Sequence, residues 1–369
     1  MRRLTVVQLL PSLHSGGVER STLEIAAALV AAGHRSVVIS AGGRLVPALV
    51  EGGSEHITLP IGRKSLAAFA VMRRLRAALA VLRPDIVHAR SRLPAWLAWF
   101  ALRGLPAPRP RFVTTVHGMN SPCLYSGVML RGERVVCVSD TVRRYVDRHW
   151  PEADHGRRVV IPRGIDPRAF PRGFAPDADW RARFAADWPA LQGGRLLLMP
   201  GRGTRLKGHA EAIELLATLR AAGEDARLWL LGADEPGREA YLAELRALAG
   251  RRGVAAALVI SAPRSDIREA YAVSDLVLQL SGKPEAFGRT VVEALAIGRP
   301  VLGWDHGGVG ELLGALYPAG RVPLGDADAL AAAARRLLAA PAPMPVTIPH
   351  TLAAMQSATL ELYDRLVAD

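Results

Sequence analysis

Two glutamates, Glu285 and Glu293, stand with seven residues between them in the segment Ser281-Gly282-Lys283-Pro284-Glu285-Ala286-Phe287-Gly288-Arg289-Thr290-Val291-Val292-Glu293. An apolar run precedes the segment, Gly288 supplies a turn, and a helical pattern begins at Thr290. The spacing puts Glu285 in a loop after a strand and Glu293 about one turn into a helix. Backbone amides near Gly288, Arg289 and Thr290 then face an anion, because the first turn of a helix leaves its N–H groups unpaired. Carboxylates flanking such an anion accept hydrogen bonds from hydroxyls, as a sugar offers them. A second cluster is Gly201-Arg202-Gly203-Thr204-Arg205-Leu206-Lys207-Gly208. Arg202, Arg205 and Lys207 are expected to converge where a sheet opens into a helix. Two guanidinium forks and one compact ammonium suit a diphosphate, the competing reading being solvated loop cations.

Three further features invite chemistry. Gly16 and Gly17, in Leu13-His14-Ser15-Gly16-Gly17-Val18-Glu19-Arg20, stand between the first strand and the first helix, where a ligand can approach the backbone. The pattern is not GxGxxG, and no acidic residue ends the second strand, which disfavours a dinucleotide site. His117, in a His-Gly pair after an apolar run, is a candidate for the reaction centre, whereas His14 and His88 carry a weaker case. Asp177-Ala-Asp179 and Asp326-Ala-Asp328 have a metal-like spacing. The first lies in an irregular stretch and the second precedes an alanine-rich helix as a cap would, so no metal is expected.

Alternating strands and amphipathic helices position these groups. Strand-like runs at Thr5–Leu10, Ser36–Ser40, Ile86–His88, Phe112–Val116, Val135–Val138 and Val159–Ile161 alternate with helical patterns such as Glu19–Ala32, Ser65–Arg83, Pro94–Arg103 and Asp140–Trp150. After an irregular stretch from Asp166 to about Gly194 the alternation restarts at Arg195–Met199 and runs to a helix at Asp328–Ala340. The pattern predicts an α/β protein of two doubly wound domains, residues 1–170 and 171–349, with a helix near 350–369 packing back on the first. Ligands of such sheets bind beyond the carboxyl ends of the strands, so the cleft between the two domains is the expected site.

The 369 residues are half hydrophobic and 22% charged, enough for sizeable cores. The two cysteines, Cys123 and Cys137, make no disulfide framework and suit a reducing compartment. Pro11 ends the first apolar run too early for a signal peptide, and no long uncharged apolar stretch predicts a membrane span. Only three of the 47 basic residues are lysines, namely Lys64, Lys207 and Lys283. Residues 1–170 hold 25 basic and 11 acidic residues, a net +14, while 171–369 hold 22 and 23. The absence of a nucleic-acid-binding module turns this charge away from nucleic acid. An anionic membrane surface met through residues 63–103 is one reading: Arg63, Lys64 and the arginines of 65–83 lie beside Leu66, Phe69, Met72, Leu75 and Leu79, followed by Trp96, Trp99 and Phe100. A solvated face over an ordinary core stripe is the other.

Taken together, GGVE at 16–19, PDIVHAR at 84–90, TTVHG at 114–118, VSD at 138–140, PRGID at 162–166, GRGTRLKG at 201–208 and PEAFGRTVVEA at 284–294 resemble the retaining GT-B glycosyltransferases, in particular glycosyltransferase family 4. The resemblance implies two Rossmann-like domains facing across a cleft. It also implies transfer of a hexose-type sugar from an NDP-sugar donor, which is a substrate, without a cofactor. By the same likeness Arg202 and Lys207 hold the donor diphosphate and Glu293 the ribose. Phe287, Gly288, Arg289 and Thr290 complete the donor-binding stretch, and Gly16 and Gly17 close over the phosphates. Glu285 and His117 are the catalytic candidates at the transferred sugar. The general character resembles bacterial envelope enzymes, which implies a glycan or glycolipid acceptor such as a lipopolysaccharide core, and a cytoplasmic protein peripheral on the inner face of the membrane. A GT-B-like NDP-sugar epimerase and a non-catalytic sugar-nucleotide-binding protein share the architecture. Two positions depart from the family pattern: Arg163, where Asn is frequent, and Ala262, where Gly is frequent in the presumed base-binding loop 261–264.

Overall fold

The computed structural model describes residues 2–14, 16–63 and 68–368, which form two units: 2–164 with 352–368, and 165–351. Lys64, Ser65 and Leu66, part of the expected basic helix, lie outside the described residues.

In the first unit the chain runs β1 (Thr5–Leu9), α1 (Gly17–Ala31), β2 (Arg35–Ser40), α2 (Val46–Glu51), β3 (Glu55–Thr58), α3 (Ala68–Leu82), β4 (Ile86–Ala89), α4 (Arg92–Arg103), β5 (Arg111–Val116), α5 (Leu124–Gly127), β6 (Arg134–Cys137), α6 (Asp140–His149) and β7 (Arg158–Val160). Every pairing is parallel, in the order β3-β2-β1-β4-β5-β6-β7. A parallel sheet is covered on both faces, so its central strands are apolar throughout rather than alternating; β4, Ile-Val-His-Ala, is wholly buried. The last helix of the chain, α14 (Leu352–Ala368), belongs to this unit. Its Met355, Leu362, Tyr363 and Leu366 pack with Leu4, Ile25, Leu29 and Ile86. Inside that interface His88 bonds the Tyr363 hydroxyl through Nδ1 and the Thr115 hydroxyl through Nε2, each at 2.6 Å. His88 is thus a satisfied core histidine. The apolar side of α3 is largely core as well: Met72, Leu75 and Leu79 are buried, whereas Phe69 is 65% exposed.

The second unit runs α7 (Ala178–Asp187), β8 (Arg195–Pro200), α8 (His209–Ala221), β9 (Ala226–Leu231), α9 (Glu239–Arg251), β10 (Leu258–Ser261), α10 (Ile267–Val273), β11 (Leu276–Gln279), α11 (Arg289–Ile297), β12 (Val301–Trp304), α12 (Gly307–Leu316), β13 (Arg321–Val322) and α13 (Ala327–Ala339). Its parallel sheet has the order β10-β9-β8-β11-β12-β13. Asp177 and Asp326 cap helices: their carboxylates accept from the amides of Trp180 and Ala329 at 2.7 and 2.9 Å. In both sheets the order reverses beside the first strand, between β1 and β4 and between β8 and β11. Ligands of doubly wound sheets bind at the loops leaving the carboxyl ends of such neighbours. In the second unit those loops are 201–208 and 280–288, the two segments richest in chemistry. Among the described residues no helix is long and apolar enough to cross a membrane.

Candidate functional site

The crevice of the second unit is built by glycines. Gly208 holds φ at 84°, and a Cβ there would collide with the carbonyl of Leu280 at the end of β11. The turn 205–207 therefore lies against the neighbouring strand end, where the amide of Gly282 donates to the Leu206 carbonyl at 2.9 Å. The segment Gly307-Gly308 supports the other side. A Cβ on Gly307 would come within 2.8 Å of the Glu285 backbone, and the Gly308 amide donates to the Glu285 carbonyl at 2.7 Å. His306 adds a bond from Nε2 to the Ser281 carbonyl at 2.8 Å. His306, Gly307 and Gly308, the last two opening the stretch Gly307-Gly308-Val309-Gly310-Glu311, are thus the seat of the Glu285 loop.

This framework brings Lys207 Nζ to 2.5 Å from Glu285 Oε1, an atom that also accepts from the Ser281 hydroxyl at 2.5 Å. Burial alone would push the Glu285 carboxyl up. The Lys207 charge and hydrogen bonds from Lys207, Ser281 and Gln279 override it and hold the group below the ordinary carboxylate range, ionised at neutral pH. Both side chains stay about a quarter exposed, at 27% and 23%, so solvent or a ligand reaches the pair. Behind it His209 is fully buried and pushed down to about 4, by burial first and then by Lys207, so it adds no second cation. Arg202 is exposed and makes no ion pair among the described residues, leaving its guanidinium available. Arg205 does not converge with the other two. It pairs with Glu244 on α9, Nη2 to Oε1 at 2.6 Å, and lies over the Tyr241 ring. A bidentate-capable cation reaches the nearest carboxylate, and the spacing in 201–208 gave no sign of one on α9.

Gly288, at φ 105°, caps α11, and Glu293 lies one turn inside that helix, as the spacing predicts. Glu293 is 6% exposed and its two oxygens are held separately: Oε2 accepts from the Tyr271 hydroxyl at 2.9 Å, Oε1 from Arg289 Nε at 2.8 Å. Arg289 therefore orients Glu293, four residues on. Tyr271 was not foreseen; burial, then the Glu293 carboxylate, raise its phenol well above the ordinary value and keep it a donor. Thr290 is partly exposed beside them. The ring of Phe287 is buried in the core, 5.5 Å edge-on from His350, so only the backbone of that residue is left for a ligand.

In the first unit, Gly16 caps α1 at φ 137°, and Gly17 begins it. A Cβ on Gly17 would strike the guanidinium of Arg163, which lies against the glycine loop. The same guanidinium donates from Nη2 to His117 Nδ1 at 2.9 Å. Arginine has no acceptor, so Nδ1 accepts and the proton of a neutral ring sits on Nε2. The ring is neutral: burial, then Arg163, Arg90 and His88, push it well below the ordinary histidine value. Nε2 is buried with no partner among the described residues. His117 is therefore a preset hydrogen-bond donor, a role the His-Gly pair alone could not reveal. The signal was Arg163, a cation where a neutral amide is frequent.

The Glycosyltransferase Family 4 profile matches residues 15–169, and the Glycosyl transferases group 1 profile matches 181–348. The D-inositol 3-phosphate glycosyltransferase of Jonesia denitrificans is 30% identical over 246 residues, 61% of this chain; the match spans only a little over half of that relative, 56%. The phosphatidyl-myo-inositol mannosyltransferase of Mycolicibacterium smegmatis is 29% identical over 339 residues, covering 86% of this chain and 80% of the relative. Among solved structures, a glycosyltransferase from Rickettsia africae superposes with a TM-score of 0.85 at 26% identity, covering 100% of this chain and 99% of that one. At the level of fold alone, Anabaena HepE in complex with UDP-glucose gives 0.77 at 18% identity, covering 98% and 100%.

Proposed function

The chain belongs to the GT-B glycosyltransferases, and from that premise we propose that it moves a hexose-type sugar from a nucleoside-diphosphate sugar to an acceptor hydroxyl, with retention at the anomeric carbon. The observation that carries the proposal is the Lys207–Glu285 pair at the strand-order reversal of the second unit, beside the α11 cap and the held carboxylate of Glu293. The complex of HepE with UDP-glucose supports a donor of this class.

In this reading Arg202, Lys207 and the amides opening α11 bind the diphosphate, and Glu293 takes the ribose hydroxyls on the lone pairs that Tyr271 and Arg289 leave open. Glu285 accepts from hydroxyls of the transferred sugar, while Lys207 keeps it ionised. As the bond from the anomeric carbon to the phosphate oxygen breaks, charge accumulates on the leaving phosphate, and fixed cations and amides aimed there lower the barrier. The acceptor oxygen attacks from the same face, and its proton passes to the departing phosphate, so no enzymic nucleophile is needed. His117 contributes a donor, not a base, through Nε2–H. No metal is assigned a step.

The acceptor proposed is a glycan or glycolipid of the bacterial envelope, with lipopolysaccharide core the leading case, met at the cytoplasmic face of the membrane. The basic stretch 63–103 supports that placement: Phe69 and Phe100 are 65% and 48% exposed, beside the exposed Arg73 and Arg74. A nucleotide-sugar panel scored by thermal shift, followed by transfer assays with envelope-derived acceptors, tests the reading. Anomeric configuration of the product tests retention. Epimerised sugar nucleotide formed without any acceptor would overturn transfer in favour of epimerisation.

A further inference from the structure

The first unit contains a cavity of about 740 Å³ at the amino ends of its central strands, opposite to Gly17 and His117. It lies where β1, β4 and β5 begin, lined by Arg2, Arg83, Asp85, Arg109 and Arg111, whereas Gly17 and His117 follow the other ends of β1 and β5. At ~3.3 Å per residue, the strands keep the two places roughly 13–20 Å apart.

Its charges are unevenly satisfied. Asp85 is fully engaged, accepting from the Thr5 amide at 2.7 Å and from Arg2 at 2.6 Å. Arg111 pairs with Glu133 at 2.9 Å. Arg109 donates only to the Leu105 carbonyl at 3.0 Å, and neither it nor Arg83 pairs with a carboxylate among the described residues. Arg83 follows the last residue of α3 with φ at 44°, the one non-glycine residue of positive φ among those described. Glycine or asparagine ordinarily fills that position. Attraction to the helix dipole accounts for a cation near the end of α3 but not for a left-handed arginine. Pro84 bars a further helical turn and the Arg83 amide donates to the Leu79 carbonyl at 3.0 Å, so the left-handed residue closes α3; what bears on the cavity is that its exposed guanidinium lines it.

What the walls lack narrows the ligand. Among the described residues they contain no aromatic ring to stack a base and no hydroxyl or amide side chain to read sugar hydroxyls. They are aliphatic instead, from Leu79, Leu105 and Val367 together with three prolines of the loop before β5. The surrounding sequence is uniformly basic: residues 56–132 hold 12 basic residues and one acidic residue, Asp85 itself. At the cavity itself, among the described residues, four arginines face one aspartate, which favours an anion there.

We propose that this cavity binds an anionic amphiphile, an aliphatic chain headed by a phosphate or carboxylate, with Arg83 and Arg109 holding the head group. The assignment does not depend on glycosyl transfer. The test is calorimetric titration of the full chain with dodecyl phosphate below its micellar concentration. Arg83→Gly relaxes the backbone while removing the charge, so the fold is kept, which thermal melting checks. Combined with Arg109→Ala it weakens binding about tenfold or more, since charge-assisted hydrogen bonds are lost. Ala80→Trp, which obstructs part of the cavity and leaves every arginine in place, weakens binding. Lys207→Ala leaves it unchanged, separating this cavity from the donor crevice. Loss of phosphatidylglycerol-vesicle binding in the same variants identifies a bilayer lipid as the source; binding of dodecyl phosphate alone identifies a free amphiphile. Inorganic phosphate binding as tightly as dodecyl phosphate, equal binding by the double variant, or no binding at all would overturn the proposal.

Discussion

The contact between Lys207 and Glu285 makes the sharpest prediction, because the two residues are 78 positions apart and meet only through the fold. At 2.5 Å and an effective dielectric of ~20, two unit charges attract by about 7 kcal/mol before costs. Partial desolvation and the fixing of a long lysine chain reduce this to roughly 1–3 kcal/mol net. A double-mutant cycle with Lys207→Met and Glu285→Gln, followed by urea unfolding at pH 7, is expected to return a coupling of that size. The pH dependence carries a definite sign. Glu285 is held below its ordinary carboxylate value in the folded state, so its contribution is complete above the unfolded value and is lost as pH falls through the folded one. The stability gap between wild type and Glu285→Gln is therefore flat from pH 7 down to the ordinary carboxylate range and closes only as pH falls below that range through the lower folded value. In transfer assays Lys207→Met lowers kcat/KM by about 10²–10³, the usual loss when one preorganised donor to developing charge is removed. Additive stabilities within ~0.3 kcal/mol, a gap independent of pH, or near-normal turnover in Lys207→Met would each refute the reasoning.

Tyr271→Phe removes a hydrogen bond to the buried Glu293 carboxylate and is expected to cost about 1–3 kcal/mol in urea unfolding, with a rise in KM for the donor larger than any fall in kcat. Gly208→Ala forces φ of 84° on a residue with a Cβ and drives it into the Leu280 carbonyl; melting falls by the equivalent of about 1–3 kcal/mol or more, and activity falls with it because Lys207 is displaced. Arg163→Leu takes away the donor to His117 Nδ1 and allows the ring proton onto either nitrogen, which imidazole ¹⁵N shifts report directly. Because the wild-type ring is depressed well below its ordinary value, kcat is expected to show no histidine titration from His117 between pH 6 and 8.

How much of this was legible in the sequence follows the physics of each element. Central strands of a parallel sheet are buried on both faces and read as short apolar runs, which is why β1, β4, β8 and β11 stand out. Strand β3, Glu-His-Ile-Thr, is an edge strand without a single buried residue and carries no such run. Helix α12 begins Gly-Gly-Val-Gly and reads as a loop motif, because glycine weakens helical patterns that tertiary packing then enforces. In the site, the Glu285 and Glu293 positions followed from a local strand–loop–helix spacing. Contacts set by separate loops did not: the pairing of Lys207 with Glu285, the departure of Arg205 to Glu244, and the support of Glu293 by Tyr271 all depend on which loops the sheet order brings together.

The division of charge acquires a physical meaning from the same contacts. In the near-neutral second unit most cations near the crevice are already matched: Arg205 by Glu244, Arg289 by Glu293, Arg264 by Asp266, and Lys207 by Glu285. Among the described residues, a diphosphate arriving there meets the exposed Arg202 and Lys283, neither in an ion pair, and the Lys207 ammonium that it must share with Glu285. Binding therefore adds a partner to Lys207 rather than filling an open well of positive charge. On the proposed reading Lys207 is shared between the phosphate and Glu285, which stays ionised and available to sugar hydroxyls. Among the described residues of the first unit Arg83 and Arg109 have no carboxylate partner, and the surplus lies in 56–132 with Asp85 as its only acid. Surplus charge of that kind acts over a Debye length of ~8 Å at physiological ionic strength and weakens with added salt. Salt should therefore weaken contacts of the first unit with anionic surfaces, while donor binding, built on matched and partly buried pairs, responds much less.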